Sequence, residues 1–450
     1  MDDAAKRVLT NEGRQSVVAL MSPATYRADA FADAARRIGL DLVRAIDLPD
    51  DLSRHRHDAL ALEFADPDGS VARILAFARD RTPGVSAILA LDDRGALIAA
   101  GASAALGLAH NDPGSALAAR DKFVMRERLA AGGVPVPRYQ RFPALFDPAT
   151  IAGEIDYPCV VKPLLLSGSR GVIRADDPDQ FASAFRRTRA ILEASGMSPD
   201  GHSILVERFV PGVEVALEGL LTGGDLQTLA LFDKPDPLDG PFFEETIYVT
   251  PSRLPIAVQA AVSRRTAEAA QAIGLREGPV HAELRIDLES GDIWLIELAG
   301  RSIGGLCSSV LEFGAGMGLE ELILRHAAGL PLGSTDRSGA AAGVMMVPIP
   351  KRGILRGVDG LEAAAAVAGV TGIEITAPFH QPIVPLPEGE SYLGFIFARL
   401  ATPAETEAAL REAHARLTFR IDPLIPLMVI PGMATGAAVA RDSSTTPGMT

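Results

Sequence analysis

Residues 279–301 read PVHAELRIDLESGDIWLIELAGR and form the strongest local signal in the chain. Apolar and polar residues alternate on both sides of a short segment that contains a glycine, a pattern that predicts a β-hairpin. If Leu288 pairs with Asp292, three residues form the loop and Gly291 takes its left-handed position. The stretch therefore predicts two antiparallel strands in a defined register.

In that register Glu283 stands directly opposite Glu297. Two carboxylates that face each other across a ladder repel, so a sheet normally avoids this pairing. A divalent cation bound between the two carboxylates replaces this repulsion by the attraction of both groups to the ion. Paired hard oxygen ligands suit Mg²⁺, which keeps its other positions for water and phosphate oxygens. The hairpin thus predicts a magnesium site, and the alternative is a charged pair on a solvated sheet face.

A lysine and a glycine-serine loop follow one another earlier in the chain. The apolar segment Val160-Val161-Lys162-Pro163 ends at a lysine, and Ser167-Gly168-Ser169-Arg170-Gly171 connects it to the next predicted strand. Backbone N–H groups of such a loop can cradle phosphate oxygens. The lysine is either a phosphate ligand or a solvated strand end, and the loop alone is explained equally well as a hairpin tip.

Residues 207–214, with the sequence ERFVPGVE, run from an apolar strand through a turn to a second glutamate. Backbone N–H and C=O groups exposed in such a connection can read the edge of an adenine. A plain strand and turn is the alternative.

These motifs, in this order and with Lys122 preceding them, resemble the ATP-grasp superfamily over roughly residues 15–330. The segment Ile296–Gly305 and the additional C-terminal segment look most like the L-amino-acid ligase (dipeptide ligase) branch. Biotin-carboxylase-like and D-alanine–D-alanine-ligase-like enzymes are more distant relatives. The resemblance implies a carboxylate–amine ligase that uses ATP.

The implied fold class is α/β and α+β. The first ~115 residues alternate strands and helices, which predicts a parallel α/β layer, and the resemblance adds a lid subdomain and an antiparallel-sheet ATP-grasp domain. The expected division is an N-terminal pre-ATP-grasp domain over 1–115, linker helices and lid over 116–212, the catalytic subdomain over 213–335, a C-terminal α+β segment over 336–432 and a flexible tail over 433–450.

The resemblance implies one contact with ATP for each matched position. The residues implied to bind ATP are Lys122 and Lys162 at the phosphates, Ser167, Gly168, Ser169 and Gly171 in a mobile lid loop, Glu207 with the backbone of Phe209 and Val210 at the adenine, and Glu214 at the ribose.

The remaining positions concern metal and substrate. Glu283 and Glu297 are implied to bind Mg²⁺, with Mn²⁺ as the alternative ion. The residues implied at the substrate are Arg301 and Gly304 at the reacting carboxylate, Glu245 at the substrate amine, and Lys234 and His281 in the substrate region; with Lys162, Arg301 is the expected catalytic residue.

Two positions depart from the family pattern. Ala299 stands where the superfamily commonly has an asparagine that helps to bind the metal. Tyr248 stands three residues after Glu245, where amino-acid ligases often carry a histidine. The first departure puts the strength of metal binding in doubt, and the second puts the identity of the substrate in doubt.

The expected reaction activates a carboxylate as an acyl phosphate, lets an amine attack it, and releases ADP and phosphate, with amino acids as the substrate class. Because a carboxylate is a poor electrophile, such chemistry depends on positioning and on cations. The expected partners are a small-molecule carboxylate and an amine, and a homodimer would be ordinary for such enzymes.

Three alternatives stay open at this point. One is another ATP-grasp ligase, or a carboxylase-type enzyme, that acts on a small carboxylate. A second is a non-catalytic ATP-binding module, which the missing asparagine motivates. A remote third is an α/β-hydrolase, because residues 300–304 match Gly-x-Ser-x-Gly around Ser302, with Asp336 and then His380 or His414 in the required order.

Composition excludes other classes. The 450-residue chain carries 43 basic and 57 acidic side chains and a net charge of −14, which argues against nucleic acid or an anionic membrane as partner. Cys159 and Cys307 are too few for a disulfide scaffold or a cysteine-rich zinc site and fit a reducing cytoplasm. No apolar run approaches ~18 residues, and the first 15 residues lack a signal-peptide core. A cytoplasmic protein is therefore expected.

Only five of the 43 basic residues are lysines. In a chain where arginine is the default cation, a lysine marks a place that needs a compact ammonium group. Lys122 and Lys162 both fall on the implied phosphate-binding positions. We therefore expect Lys162→Arg to cost far more activity than an ordinary exchange of lysine for arginine.

Overall fold

A computed structural model describes residues 15–23, 25–48, 59–196 and 202–424. The flexible tail expected over 433–450 lies outside the described residues. Helices and strands are numbered in chain order. The helices are α1 (Ala28–Ile38), α2 (Pro67–Arg79), α3 (Ala96–Leu106), α4 (Pro113–Arg120), α5 (Lys122–Ala131), α6 (Pro178–Ala194), α7 (Ile256–Ile273), α8 (Leu319–Ala327), α9 (Leu361–Ala365) and α10 (Pro403–Ala415).

The N-terminal layer is a parallel sheet in the order β3-β2-β1-β4. All residues of its central strand β1 are buried, and alternate residues feed two different cores, as expected for a parallel sheet covered on both faces. This confirms the predicted parallel α/β layer. Its strands are β1 (Ser16–Met21), β2 (Asp41–Asp47), β3 (Leu60–Leu62) and β4 (Val85–Ala90).

The linker to the lid consists of two helices. Helix α4 ends at Arg120, and α5 begins at Lys122. The chain breaks at Asp121, which has extended backbone angles (φ −92, ψ 113), and its carboxylate caps α5 by accepting hydrogen bonds from Phe123 N at 2.9 Å and Val124 N at 3.1 Å. A side chain that caps a helix start competes with helix continuation, which explains the break.

The lid is an antiparallel sheet in the order β5-β8-β6-β7 with α6 packed on it. Helix α6 begins after Asp177, which accepts a hydrogen bond from Gln180 N, and it has proline at its first position. Its Phe181 and Phe185 are fully buried against the sheet. The strands are β5 (Tyr139–Pro143), β6 (Cys159–Pro163), β7 (Ile173–Ala175) and β8 (Ser203–Arg208).

The largest sheet is antiparallel and runs β13-β12-β9-β10-β11-β16-β20-β18. Strand β16 pairs with β11 through Ile247 and Met345, so the C-terminal strands extend this sheet across the boundary expected near residue 335. The strands are β9 (Val213–Thr222), β10 (Asp225–Lys234), β11 (Ile247–Thr250), β12 (Gly278–Ile286), β13 (Ile293–Ala299), β16 (Ala341–Val347), β18 (Val370–Ile375) and β20 (Gly394–Leu400).

Short strands complete the fold. A three-stranded sheet in the order β19-β17-β21 belongs to the C-terminal segment, and β14 pairs with β15 next to α8. No helix in the described part of the chain is both long and apolar enough to cross a membrane. These strands are β14 (Glu312–Phe313), β15 (Met317–Gly318), β17 (Gly353–Asp359), β19 (Pro382–Ile383) and β21 (Thr418–Asp422).

The β12–β13 hairpin has the expected carboxylate pair but not the expected turn. Residues 288–291 lie between Asp287 and Asp292, so the three-residue loop is wrong. The Asp287 carboxylate accepts hydrogen bonds from the N–H groups of residues 289 and 290 and holds this longer loop. A register shift next to Glu283 then restores its pairing with Glu297. The expected opposition is confirmed because a bulge compensates for the extra loop residue.

Candidate active site

A cavity of about 300 Å³ lies between the lid, the large sheet and the C-terminal segment. Of the residues that the sequence nominates for the site, only Gly171 and Lys234 do not line it. Those that line it are Lys122, Lys162, Ser167, Gly168, Ser169, Glu207, Phe209, Val210, Glu214, Glu245, His281, Glu283, Glu297, Arg301 and Gly304.

A second cavity, of about 420 Å³, lies between the N-terminal layer and the start of β12. Although this cavity is larger, Arg301 is the one residue in its lining that the resemblance implies to bind ATP, metal or substrate. The smaller cavity is therefore the candidate active site.

Because successive side chains of a strand point to opposite faces, the ionisable side chains of the site lie on one face of the large sheet. On β12, Val280, Ala282 and Leu284 face one core, while His281 and Glu283 face the opposite side. Residues that are paired across neighbouring strands form two rows of ionisable side chains on this face. One row joins Lys234, Glu214 and Arg285 on β10, β9 and β12, and the other joins Glu218 and His281 on β9 and β12.

Lys162 is held by Glu207 in a buried ion-pair cluster. Its Nζ donates to Glu207 Oε2 at 2.6 Å, and Arg126 donates to the same carboxylate through Nε at 2.6 Å and Nη2 at 3.3 Å. Burial lowers the pKa of Lys162. Burial alone would raise the pKa of Glu207, but Arg126 and Lys162 hold it at about 2. The cluster fixes the lysine at the edge of the cavity.

Lys122 connects the lid to the hairpin. Its Nζ donates to Leu166 O, just before the glycine-serine loop, at 2.9 Å and lies 3.5 Å from Glu297 Oε2. Gly168 and Ser169 both have positive φ angles, 63° and 55°, so the loop turns sharply over the cavity. This ammonium group stands between the loop and one carboxylate of the hairpin pair.

Two backbone groups of the segment expected at the adenine form hydrogen bonds within the protein. Phe209 N–H donates to Pro158 O at 2.9 Å, and Val210 O accepts a hydrogen bond from Arg285 at 2.7 Å. The Glu207 carboxylate forms ion pairs with two protein cations, Arg126 and Lys162. The Phe209 ring lies 6.3 Å from the Phe243 ring, which gives this end of the cavity an aromatic wall.

Three carboxylates surround the Lys234 ammonium group. Its Nζ donates to Glu214 Oε1 at 2.7 Å and to Glu245 Oε1, and it lies 3.2 Å from Glu283 Oε1. Burial opposes the charge on the lysine, but the three carboxylates raise its pKa well above the ordinary value. Burial and Glu283 raise the pKa of Glu245. Burial alone would also raise the pKa of Glu283, but Lys234 and His281 lower it well below its ordinary value.

His281 is part of a second buried pair. Its Nδ1 lies 2.5 Å from Glu218 Oε1, and its Nε2 lies 3.5 Å from Glu283 Oε1. Burial alone would lower the pKa of His281, but Glu218 and Glu283 raise it to about 9. Glu218 Oε2 also accepts a hydrogen bond from Ile303 N at 3.1 Å. Glu218 therefore links the histidine to the loop that follows β13.

Arg301 is held by the N-terminal layer. It donates to Asp93 through Nε and Nη2, both at 2.9 Å. Burial alone would lower the pKa of Arg301, but the ion pair with Asp93 raises it. The next residue, Ser302, is buried, and its Oγ accepts a hydrogen bond from Arg27 at 2.5 Å. The loop after β13 is thus anchored to the N-terminal layer at two successive residues.

The hydrolase alternative fails on geometry. A nucleophilic Ser302 would need a histidine partner, and Arg27 occupies its hydroxyl instead. His380 lies 3.5 Å from Arg356, and the His414 ring lies 6.4 Å from the Phe419 ring, both in the C-terminal segment.

The lid touches the C-terminal segment. Gly171 N–H donates to Pro387 O at 2.9 Å. Two ion pairs flank this contact: Arg170 to Glu390 at 3.1 Å and Arg187 to Glu388 at 2.6 Å. The lid loop and the C-terminal segment together cover the cavity.

Sequence reasoning missed several residues that hold the site together, although the pattern contains signals for some of them. Arg126 is four positions after Lys122 on α5 and shares its helix face. Glu218 is four positions after Glu214 on β9 and shares its sheet face. Asp93 closely follows a parallel strand, where ligand sites of α/β sheets gather.

Comparisons with known proteins agree with this architecture. Residues 155–310 match the ATP-grasp domain, and residues 345–422 match the L-amino acid ligase C-terminal domain 2. The chain carries an ATP-grasp domain followed by an L-amino acid ligase C-terminal domain. The predicted resemblance to the ATP-grasp superfamily and to its L-amino-acid ligase branch is confirmed.

Individual relatives are distant. The chain is 26% identical over 316 residues to uncharacterized protein y4rH of Sinorhizobium fredii, covering 70% of this chain and 64% of that protein. It is 25% identical over 222 residues to the alanine–anticapsin ligase of Bacillus subtilis, covering 46% of each chain. The alignments thus span between about half and two thirds of these curated relatives.

Among solved structures, the L-amino acid ligase from Bacillus licheniformis superposes with a TM-score of 0.77 at 24% identity, covering 91% of this chain and 99% of that chain. The biotin carboxylase domain dimer of Hydrogenobacter thermophilus 2-oxoglutarate carboxylase, solved with MgADP, has a TM-score of 0.62 at 17% identity, covering 91% and 90%. Both likenesses concern the fold. The match of residues 155–310 to the ATP-grasp domain, together with the superposition on the L-amino acid ligase structure, confirms the predicted ATP-grasp fold.

Proposed function

We propose that this protein is an ATP-dependent carboxylate–amine ligase that forms an amide or peptide bond through an acyl phosphate and takes amino acids as substrates. The observation that carries the proposal is the meeting of Lys122, Lys162, Arg301 and the Glu283–Glu297 pair around one covered cavity. The family matches and the named ligases among the relatives support the same reaction class.

The donor set fits Mg²⁺. Glu283 and Glu297 offer hard oxygen ligands from opposite strands, and both side chains keep some exposure, 18% and 28%, toward the cavity. With Ala299 in place of the usual asparagine, these two glutamates would hold the ion. When bound, Mg²⁺ would neutralise charge on the phosphoryl group that is transferred.

The chain's own residues then have defined tasks. An oxygen of the substrate carboxylate attacks the γ-phosphorus, and the bond to ADP breaks. In this proposal Lys122 and Lys162 stabilise the phosphate oxygens, and the hydrogen bond to Glu207 holds Lys162 in position. Arg301, which Asp93 holds, stabilises the acyl phosphate.

In the second step the amine nitrogen attacks the acyl carbon and phosphate leaves. The amine loses a proton as the C–N bond forms. The lid loop covers the cavity and keeps water away from the acyl phosphate, because water would otherwise hydrolyse this intermediate. No protein nucleophile is needed.

The proposal includes a small-molecule carboxylate and an amine as partners, a homodimer as the assembly and the cytoplasm as the compartment. Support for the compartment comes from Cys159 and Cys307, which are buried and unpaired. Support for the assembly is limited to fold neighbours such as the biotin carboxylase domain dimer.

A screen for phosphate release tests the proposal. Purified protein with Mg·ATP is offered paired amino acids and small amines, and mass spectrometry identifies products. We expect ADP, phosphate and an amide in equal amounts. Glu297→Gln should abolish turnover while the fold survives, and Glu289→Gln, an exposed change in the hairpin loop, should leave it intact. Tight ATP binding without turnover on any pair would instead support a non-catalytic ATP-binding module.

A further inference from the structure

We propose that the second cavity, between the N-terminal layer and the start of β12, is a binding site for a small carboxylic acid with an apolar body, and that Arg120 holds its carboxylate. The chemical class is a monocarboxylate whose other atoms form an alkyl or aromatic group. The inference goes beyond the proposed ligase function, because it concerns a cavity other than the candidate active site.

The second cavity has the size and the position of a ligand site. Its volume is about 420 Å³, and small-molecule sites commonly measure about 300–1,000 Å³. Residues 91–93, which follow β4, line it together with parts of α3, α4 and α8. Ligands of open α/β sheets bind at the carboxyl ends of the strands, where the strand order reverses. In the order β3-β2-β1-β4 this point lies between β1 and β4.

The walls of the second cavity are mostly apolar, and many of them are short alanine side chains. Protein interiors are normally close-packed and contain few voids larger than a water molecule. A space of this size between three helices is therefore not ordinary packing, and its walls suit an alkyl or aromatic group that leaves water. The apolar residues that the helices contribute include Ala96 and Ala100 on α3, Ala116 and Ala119 on α4, and Ile323 and Ala327 on α8.

Arg120, the last residue of α4, is a cation without a partner in this wall. Its side chain is half-buried and lines the cavity. Within the part of the chain that the structure describes, the guanidinium group forms neither an ion pair nor a hydrogen bond. Arginine stays charged in proteins, and its planar group matches a carboxylate at two points. Arg120 is therefore suited to receive the carboxylate of a ligand.

The three carboxylates in the cavity wall have other partners. Asp93 accepts two hydrogen bonds from Arg301, both at 2.9 Å. Asp92 accepts hydrogen bonds from a backbone N–H group at 2.8 Å and from a serine hydroxyl at 2.6 Å. Glu277 accepts one from a backbone N–H group at 3.0 Å. None of the three forms an ion pair with Arg120 in the described structure.

Positive charge is in excess around Asp93. Burial alone would raise the pKa of this carboxyl group, but Arg301, Lys122 and Arg120 lower it. Arg301 is bound to Asp93, and Lys122 lies 3.5 Å from Glu297 Oε2. Arg120 is thus a third cation beside one carboxylate, and a bound anion would supply its counter-charge.

Arg27 is a second incompletely paired cation in the wall of the same cavity. It is only 4% exposed, and its Nε has no hydrogen-bond partner among the described residues. Its other nitrogens donate to Leu91 O at 3.3 Å and to Ser302 Oγ at 2.5 Å, and its ion pair with Glu320 is 3.9 Å long. A buried charge is costly unless it is paired. An anion in the cavity would therefore stabilise Arg27 as well.

The same observations favour a monocarboxylate over a phosphate group. A dianion would meet more repulsion from the three carboxylates of the wall, and the apolar surface offers it few hydrogen-bond donors. A single negative charge at one end of an apolar molecule fits both the unpaired arginine and the alanine-rich walls.

Calorimetric titration of the full-length protein without nucleotide tests the proposal. Hexanoate and 3-phenylpropanoate are compared with their amides, which keep the apolar body without the charge, and with acetate, which keeps the charge without the body. We expect at least one of the two acids to bind with a Kd below about 1 mM. It should bind about tenfold or more tightly than its amide and than acetate. Failure of both acids to bind, or equal binding of acid and amide, would overturn the inference.

Arg120→Met removes the proposed carboxylate partner and keeps most of the apolar stem. We expect this variant to bind the acid about tenfold or more weakly and to bind the amide within about twofold of wild-type protein. Arg79→Met is the matched control, because Arg79 is the last residue of α2 and is exposed. Unchanged affinity of Arg120→Met for the acid would contradict the proposal.

A variant that fills the cavity locates the ligand without changing any charge. Ala100 is buried and lines the cavity, whereas Ala104 is exposed on the same helix, α3. Leucine forms helices almost as well as alanine, so both Ala100→Leu and Ala104→Leu are expected to fold, which thermal unfolding verifies. Ala100→Leu should weaken acid binding by about tenfold or more, and Ala104→Leu should not. Equal affinities of these two variants would show that the acid binds elsewhere.

A variant of the candidate active site distinguishes the two cavities. Glu245 lines the candidate active site and not the second cavity. Glu245→Gln should therefore bind the acid within about twofold of wild-type protein. An altered affinity in Glu245→Gln, together with an unchanged affinity in Arg120→Met, would place the acid in the candidate active site and overturn the inference.

None of these titrations needs turnover, so their outcome is separate from that of the ligase proposal. Absence of phosphate release with every substrate pair would count against the ligase function alone. Absence of acid binding would count against the role of the second cavity alone.

Discussion

Arg301 and Asp93 form a two-point ion pair, with Nε–Oδ1 and Nη2–Oδ2 both at 2.9 Å, although 208 positions separate them in the chain. The pair joins the loop after β13 to the carboxyl end of β4. Its consequence is that the N-terminal layer orients the arginine proposed to face the acyl phosphate. Burial alone would raise the pKa of Asp93, but Arg301 lowers it, so both partners stay charged.

Asp93→Asn is expected to lower kcat by about ten- to hundredfold, because a misplaced catalytic group loses this much without any change in its own chemistry. The KM for ATP should change less, since Asp93 does not line the candidate nucleotide cavity. Steady-state kinetics compare the change in kcat with the change in KM for ATP. Asp422→Asn, which breaks the exposed pair with Arg356, serves as the control. A rise in KM for ATP with unchanged kcat would contradict a positioning role.

Arg126→Met tests the buried cluster that holds Lys162. The change leaves Glu207, whose side chain is only 3% exposed, with one neighbouring cation in place of two. Breaking a buried ion pair typically costs about 3–5 kcal/mol, so urea unfolding should show a loss of this order. Arg138→Met, which breaks an exposed pair with Asp156, is expected to cost less than about 1 kcal/mol. Similar losses in both variants would contradict the cluster's structural importance.

The same cluster predicts a dependence of stability on pH. Because the folded-state pKa of Glu207 is lowered from 4.5 to about 2, its ionised form stabilises the protein above about pH 4.5, and this stabilisation is lost as the pH falls toward 2. Glu207→Gln should therefore flatten the fall in the free energy of unfolding between these values, measured by urea titration. Glu289→Gln in the exposed loop should leave the slope as in the wild type. An identical slope in Glu207→Gln would count against the lowered pKa.

The contact between lid and C-terminal segment predicts an effect on nucleotide release. Glu388→Ala removes the ion pair between Glu388 and Arg187. The Arg187 side chain is 42% exposed and the Glu388 side chain 33%, so the contact between the lid and the C-terminal segment should lose less than about 1 kcal/mol. We expect ADP to dissociate up to about fivefold faster in stopped-flow measurements, and added salt should produce the same direction of change in wild-type protein. Glu412→Ala, at another exposed pair with Arg416, is the control. Unchanged ADP release in Glu388→Ala would show that this pair does not hold the lid.

The comparison of sequence and structure shows which kinds of contact a sequence reveals. The pairing of Glu283 with Glu297 could be predicted because strand alternation and a local turn define it, yet the turn was wrong and a bulge restored the register. The cavity lining could also be predicted, since motifs of the family mark its residues in chain order.

The ion pairs that orient those residues could not be predicted. Arg126 with Glu207 and Asp93 with Arg301 join elements 81 and 208 positions apart, and no local pattern specifies which cation meets which carboxylate. The resemblance implies only that Lys234 lies in the substrate region. Its position among three carboxylates depends on the register of β10, β9 and β12 and on the path of the loop before β11. Long-range packing decides such contacts.

The most direct test of the central claim follows oxygen from substrate to phosphate. With an acid–amine pair identified by the screen, the carboxylate is labelled with ¹⁸O, and the released phosphate is analysed by mass spectrometry. If an acyl phosphate forms, one ¹⁸O atom appears in each phosphate, together with one ADP and one amide per turnover. Phosphate without ¹⁸O, or release of AMP and pyrophosphate, would contradict the account.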